Sequence, residues 1–452
     1  MDIARIFGEF ISQLDYDLVP EQIKETVKTC ILHGLGTGIA GYDLEPAVTV
    51  RGMIREIEGV TGKNSATILG DGGKVTMTGA VFANSTLLHS RAQEDSSGGG
   101  SVHPGTLVIP VVLAVAENYR CTGKQVMEAV LVGYEVLSAL GKVLGKLLAA
   151  RGFRPNATLG GVGAAAAIAK LMGLSSDETA HALRLAVSFA CGITEPFTAG
   201  TNEWMLQTAM SARNGMMAAQ LASSGIKGAE SAFDGNTGFM EVFVGTREQS
   251  ILESIVEGLG REWNICDLAY KKYPTCAHNQ TPFILTLNVV EEYNILPDQV
   301  EKVSYYMAPA EIKYPGIRYK GPFSSESQCI MSTAFNIACA IKHRALYKSY
   351  QQCYTDQELF NLIKKTTAHE DDSRQIFSGK IEITLVDGQI IKREMNVTTD
   401  YHLSWEEDVK LIRLVHKEVG IPESQTDKFV LCINDLEKAS DVFSLISVIK
   451  LT

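Results

Sequence analysis

The chain is 452 residues long, with 45% hydrophobic and 21% charged residues and a formal net charge of −11. This balance excludes a disordered chain and any general attraction to nucleic acid or an anionic membrane; an anionic ligand needs a local cationic pocket. The length exceeds one ordinary core and predicts two domains.

Residues 1–17, MDIARIFGEFISQLDYD, lack the basic start and apolar core of a signal peptide. No window reaches the roughly 18 uninterrupted apolar residues of a membrane span. The nine cysteines are scattered, odd in number and without C-x-x-C spacing. Reduced thiols fit this pattern better than a disulfide framework or a zinc site, and a cytoplasmic location with no bound metal is expected. The Asn156-Ala157-Thr158 sequon then carries no meaning.

The first half reads as helix. In Glu21–Ala40 the apolar residues Ile23, Val27, Ile31 and Leu35 recur at helical spacing. A Gly-Asp-Gly-Gly turn between β-favourable runs predicts a small hairpin in Ala66–Gly79. Val126–Leu148 and Ser175–Phe189 are long helical candidates, the latter opening on a Ser-Ser-Asp cap. Gly160–Gly173, GGVGAAAAIAKLMG, has little side chain to bury and suits the centre of a bundle; Ser211–Ser224 repeats the theme.

Character changes near Asp267. Val300–Ala308 reads as a strand, Gln328–Ile341 as a helix, and Lys380–Met395 as a hairpin closed by a two-residue Asp387-Gly388 turn. Helix returns after Trp405. The expectation is a mainly α protein: a discontinuous all-helical domain, 1–266 and 402–452, with a smaller α/β (α+β) lid of antiparallel strands over 267–401.

There is no G-x-x-x-x-G-K-[ST], dinucleotide fingerprint, H-E-x-x-H or G-x-S-x-G. Gly160-Gly161-Val162-Gly163 reads as a packing helix, because a phosphate loop needs a preceding strand. The segment His89–Gly105, HSRAQEDSSGGGSVHPG, stands out: a charged, Gly-rich loop between two apolar runs. It is one wall of an active site or a solvated connector. In it His103, stiffened by Pro104, is a candidate general acid or base, with a structural role as the alternative. His89 reads rather as core or cap. Lys271, ahead of Tyr273-Pro274, is an anion anchor or a base lowered by burial; the alternative is an exposed pair with Lys272 at a domain boundary. Taken singly, Arg154 in RGFRP and Tyr319 in RYKGPF read as surface.

Taken together, the His89–Gly105 loop, GFRPNATLGGVGAAAAIAKLMGL, GTNEW with ARNGMMAAQLASSGIKG and AFDGNTGF, and KKYP resemble the MmgE/PrpD family, in order and over nearly the whole chain. That family includes 2-methylcitrate dehydratase, cis-aconitate decarboxylase and iminodisuccinate epimerase. The resemblance implies a helical domain with an α/β lid, a homodimer, a cleft site, no metal and no organic cofactor. It places the family histidine on His103, the lysine before its Y/F-P on Lys271, and the last Asp of D-x-D-D-T on Asp95, with Glu94 before it and Ser96 where Thr is usual.

Other family positions are changed. The first Asp of that motif falls on Ala92, the histidine of G-[WF]-H on Arg154, and the lysine and histidine of K-x-L-H on Trp204 and Gln207. Dehydration needs an acid for the leaving hydroxyl and a base for the α-proton, and several candidates for those jobs are gone. His103 and Lys271 remain as bases, with Tyr319 beside Lys271 as an alternative; Arg91, Gln93, Asp95, Arg154 and Trp204 remain for binding a small di- or tricarboxylate. This looks most like the iminodisuccinate-epimerase-type branch. The implied activity is cofactor-independent epimerisation by proton removal and return α to a carboxylate. A citrate-like dehydratase, a cis-aconitate-like decarboxylase and a non-catalytic binding member are the alternatives.

Overall fold

A computed structural model describes residues 1–60, 62, 64–97, 99, 101–396 and 401–451. Gly98 and Gly100 of the expected site loop, and 397–400 of the expected lid, lie outside the described residues. The chain divides into a first unit of 1–193, 204–270 and 403–452 and a second of 194–203 and 271–402. Among the described residues, no helix is long and apolar enough to cross a membrane.

The first unit is a helical bundle. The 21–40 periodicity becomes helix Glu21–Ile39. Thr122 and Gln125 form a capping box that starts helix Gly123–Ala150, and Ser175 with Glu178 does the same for Ser176–Ser188. The small-residue stretch is helix Pro155–Leu171, packed against Pro104–Tyr119, Gly123–Ala150 and Ser176–Ser188. Its contact with helix Glu203–Ser223 is close: a Cβ on Gly215 would lie 2.3 Å from the Gly161 carbonyl oxygen. Glycine is therefore required there for steric reasons.

Two short antiparallel pairs interrupt the helices. Strands β1 (Ser65–Thr67) and β2 (Lys74–Thr76) form the expected hairpin. β3 (Asp95–Ser96) pairs with β4 (Ala269–Tyr270), with Asp95 opposite Tyr270. This pairing keeps Asp267–Tyr270 with the first unit, beyond the expected boundary at 266.

The second unit is a four-stranded sheet, ordered β6-β5-β7-β8, from β5 (Val300–Met307), β6 (Thr366–Glu370), β7 (Gly379–Leu385) and β8 (Ile390–Met395). β7 alternates, burying Ile381, Ile383 and Leu385, and helices Ala277–Glu292 and Thr333–His343 pack on the sheet. The sheet is mixed, because β6 runs parallel to β5. Segment 194–203 belongs to this unit: Phe197 packs on Tyr314 at 5.7 Å, and Ser325 Oγ donates to the Gly200 carbonyl at 2.5 Å.

Two local expectations need correction. The hairpin loop has three residues, Val386–Gly388, because Val386 N–H bonds to the Gln299 carbonyl and Gly388 takes a positive φ of 87°. The expected single helix 328–341 is two, Glu326–Met331 and Thr333–His343. Ser332 breaks it: its backbone is extended and its hydroxyl caps the second helix at Phe335 N–H.

Candidate functional site

In the first unit the last turn of helix Met77–Ser90, which carries His89, and the segment after it, with Glu94, Asp95 and His103, meet the start of two helices. His103 is the N-cap residue of Pro104–Tyr119, and Arg154 that of Pro155–Leu171. Asn156 ties the two starts together, accepting His103 N–H at 2.7 Å on Oδ1 and donating to Thr208 Oγ at 3.1 Å. Both helix ends present the positive end of their dipoles, which favours an anion.

Asp95 is fully buried and acts on the backbone. Its Oδ1 accepts Gly105 N–H at 2.9 Å and its Oδ2 accepts the Tyr134 hydroxyl at 2.6 Å. Burial pushes its carboxyl up, and those two hydrogen bonds pull it partly back. Its carbonyl lies 2.9 Å from His103 Nδ1. A carbonyl only accepts, so Nδ1 carries the hydrogen and Nε2 of the neutral ring carries the lone pair.

The second histidine is fixed differently. Arg154 Nη2 lies 2.7 Å from His89 Nε2. A guanidinium only donates, so His89 is neutral with its hydrogen on Nδ1. That Nδ1 is 3.5 Å from Glu94 Oε1, and the same oxygen is 3.6 Å from His103 Nδ1. The two imidazoles sit 5.5 Å apart. Trp204 meets His89 edge-on at 4.7 Å, and the Arg154 guanidinium is 5.5 Å above the indole. Arg154 Nη1 also donates to the Trp204 carbonyl and, at 2.8 Å, to Thr208 Oγ. Arg154 is buried, against the surface position its sequence context suggests on its own.

Arg91 and Gln93, expected to contact substrate, hold one another and Glu418. Arg91 Nη2 pairs with Glu418 at 2.5 Å, and its Nε donates to Gln93 Oε1 at 2.7 Å. A buried cation needs a charge partner, and Glu418 supplies it. Burial pulls the Arg91 guanidinium down, with Glu418 opposing.

In the second unit Lys271 is buried, unlike the alternative of an exposed pair, and directly follows Tyr270 of β4. Tyr319 is half-buried; its hydroxyl donates to the Pro322 carbonyl and its ring meets Phe323 edge-on at 5.2 Å. That bond holds its own turn and must break before the hydroxyl can transfer a proton. Among the described residues no group of His, Cys, Asp or Glu is placed to hold a metal ion.

Residues 5–252 match the MmgE/PrpD N-terminal domain. The chain belongs to the MmgE/PrpD family. A cis-aconitate decarboxylase of Aspergillus terreus is 24% identical over 442 residues, covering 92% of this chain and 88% of that protein. The Homo sapiens cis-aconitate decarboxylase is 26% identical over 407 residues, covering 85% and 81%. A cis-aconitate decarboxylase-like protein of Aspergillus oryzae is 26% identical over 274 residues, covering 58% and 56%.

Three residues of this candidate cluster carried no functional signal in the sequence. His89 looked like core because it ends an apolar helix, and it is buried, yet its ring lies against Glu94, His103 and Arg154. Asn156 was visible only as a meaningless sequon, and Thr208 had no local signal.

Proposed function

We propose that this MmgE/PrpD member is a cofactor-independent enzyme that moves a proton at the carbon α to a carboxylate of a small di- or tricarboxylate, with epimerisation as the net reaction. The carrying observation is the His103 geometry: Asp95 O holds Nδ1–H at 2.9 Å, so Nε2 is the proton-accepting atom. Glu94, 3.6 Å from Nδ1, stabilises the imidazolium that forms.

In this reading His103 Nε2 takes the α-proton, and the C–H electron pair moves onto the carboxylate. Arg154 and the two helix starts offset that developing charge. The Lys271 ammonium returns a proton to the opposite face. Lys271 enters by chain connectivity, being the residue after the strand that pairs with Asp95. Trp204 shapes the pocket wall. Ala92, Arg154 and Gln207, where dehydratases and decarboxylases of the resemblance carry an Asp and two His, favour epimerisation over loss of a leaving group. The chain acts as a cytoplasmic homodimer, joined through the helical unit. Sedimentation as a monomer at micromolar concentration would count against that assembly.

The names of the relatives favour a second reading, decarboxylation of a cis-aconitate-like acid. It needs the same acid, because carbon dioxide leaves a carbanion that must be protonated. Incubation with a panel of di- and tricarboxylates in D₂O separates the readings. Deuterium at the α-carbon with no loss of mass as water or carbon dioxide supports epimerisation. Release of carbon dioxide or water selects a lyase. Tight binding with neither exchange nor turnover marks a non-catalytic member.

A further inference from the structure

We infer that His33 and Asp408 are a positioning pair which, through the backbone of Gln93, sets the Glu94 carboxylate between His89 and His103. The inference rests on the functional reading above. His33 and Asp408 are 375 residues apart in the chain.

His33 lies in helix Glu21–Ile39 and Asp408 in helix Trp405–Glu418; both side chains are fully buried. His33 Nδ1 is 2.8 Å from Asp408 Oδ1, and His33 Nε2 is 2.9 Å from the Gln93 carbonyl. The carbonyl only accepts, so Nε2 carries a hydrogen. Nδ1 then faces a carboxylate oxygen, which is favourable only if one further proton sits between them. The pair therefore holds one shared proton and is neutral overall. Burial opposes charge on His33, but Asp408 outweighs it and leaves the ring above its ordinary value; burial also raises the Asp408 carboxyl, with His33 pulling it back. Asp95 adds a further pull on His33, and the Tyr270 ring packs edge-on at 5.0 Å with its hydroxyl against Cys30.

Helix Trp405–Glu418 grips Gln93 a second time. Glu418 holds Arg91, and Arg91 Nε holds Gln93 Oε1. Gln93 is thus fixed at its main chain through Asp408 and at its side chain through Glu418. The next residue is Glu94. A carboxylate 3.5 and 3.6 Å from two ring nitrogens has a narrow range of useful positions, and a shift of about 1 Å at such a site costs heavily in rate.

The pair also implies an alkaline limit. Once the shared proton is lost, the Nδ1 lone pair faces a carboxylate, and the contact opens. Asp408→Asn removes that limit. The Asn amide donates to Nδ1, Nε2–H stays on the Gln93 carbonyl, and the neutral pair has no proton to lose as pH rises.

The test uses the full chain with ¹⁵N-labelled histidine. Ring-nitrogen NMR follows His103 against pH in wild type, His33→Phe and Asp408→Asn, with Asp408→Leu as a second loss variant should His33→Phe not fold. The His103 titration is expected to move by about half a pH unit or more in the loss variants, as a carboxylate displaced by an ångström requires, and to stay near wild type in Asp408→Asn. Identical His103 titration in wild type and the folded loss variants overturns the inference. Where the wild type turns over a carboxylate, the loss variants should lower kcat roughly tenfold with little change in KM, and Asp408→Asn should keep its rate at alkaline pH where wild type falls. A loss variant with wild-type kcat also overturns it. If wild type turns over nothing, the proposed reaction fails, and the NMR titration still decides the positioning role.

Discussion

His103 Nδ1 lies 2.9 Å from the main-chain carbonyl of Asp95, eight residues earlier in the chain. That contact fixes which imidazole nitrogen can take a proton. The carboxylate of the same Asp95 holds the helix start on which His103 sits, through Gly105 N–H and Tyr134. One residue therefore sets both the tautomer and the place of the proposed base.

Tyr134→Phe tests the second half of that arrangement. It strips one hydrogen bond from a buried carboxylate, and stability should fall by about 1–3 kcal/mol. Urea denaturation measures it. An unchanged midpoint would show that Asp95 does not depend on this bond.

Arg91 and Arg154 should separate kinetically. Arg91→Ala breaks the pair with Glu418 and should lower stability by about 3 kcal/mol with little change in KM. Arg154→Ala removes the cation beside His89 and should raise KM strongly. Steady-state kinetics with thermal melts distinguish them, and the reverse pattern would restore Arg91 as the substrate anchor.

His416 gives a pH test of helix Trp405–Glu418. Burial, with Arg91 adding to it, pulls its imidazole from 6.5 down to about 4, while the Gly36 carbonyl opposes. The folded state holds the ring neutral, so its contribution is complete above pH 6.5 and is lost as pH falls through about 4. Chemical denaturation across this range should show wild type losing stability relative to His416→Gln as the solution is acidified. Parallel curves would refute the assignment.

Gly215→Ala should destabilise by about 1–3 kcal/mol or more, as expected for overpacking. The new methyl would meet the Gly161 carbonyl at 2.3 Å and the Ala164 Cβ at 2.6 Å, neither a flexible group. Wild-type stability in this variant would mean the two helices separate easily.

Much of the fold was legible because it is written locally. The Ile23, Val27, Ile31 and Leu35 spacing, the Ser175 cap and the alternation in β7 are each visible within a few residues. β6, TTAHE, carries no such signal; it is a strand because it lies parallel to β5, which is far earlier in the chain. The site divides the same way. His103 stood out by its neighbours Pro104 and Gly105. The Arg91 pair was hidden because its partner Glu418 is 327 residues away, and His33 was invisible because Asp408 is 375 residues away. A histidine inside an apolar helix shows its role only when the distant carboxylate is seen.

The most direct test concerns His103 Nε2. Solvent-deuterium incorporation at the α-carbon of a turned-over di- or tricarboxylate should be followed in wild type and in His103→Gln, with circular dichroism confirming the fold of the variant. Loss of a positioned acid or base predicts a drop of about 10²–10⁴-fold in exchange rate. Exchange at the wild-type rate in folded His103→Gln would contradict the assignment of the proton-transferring atom.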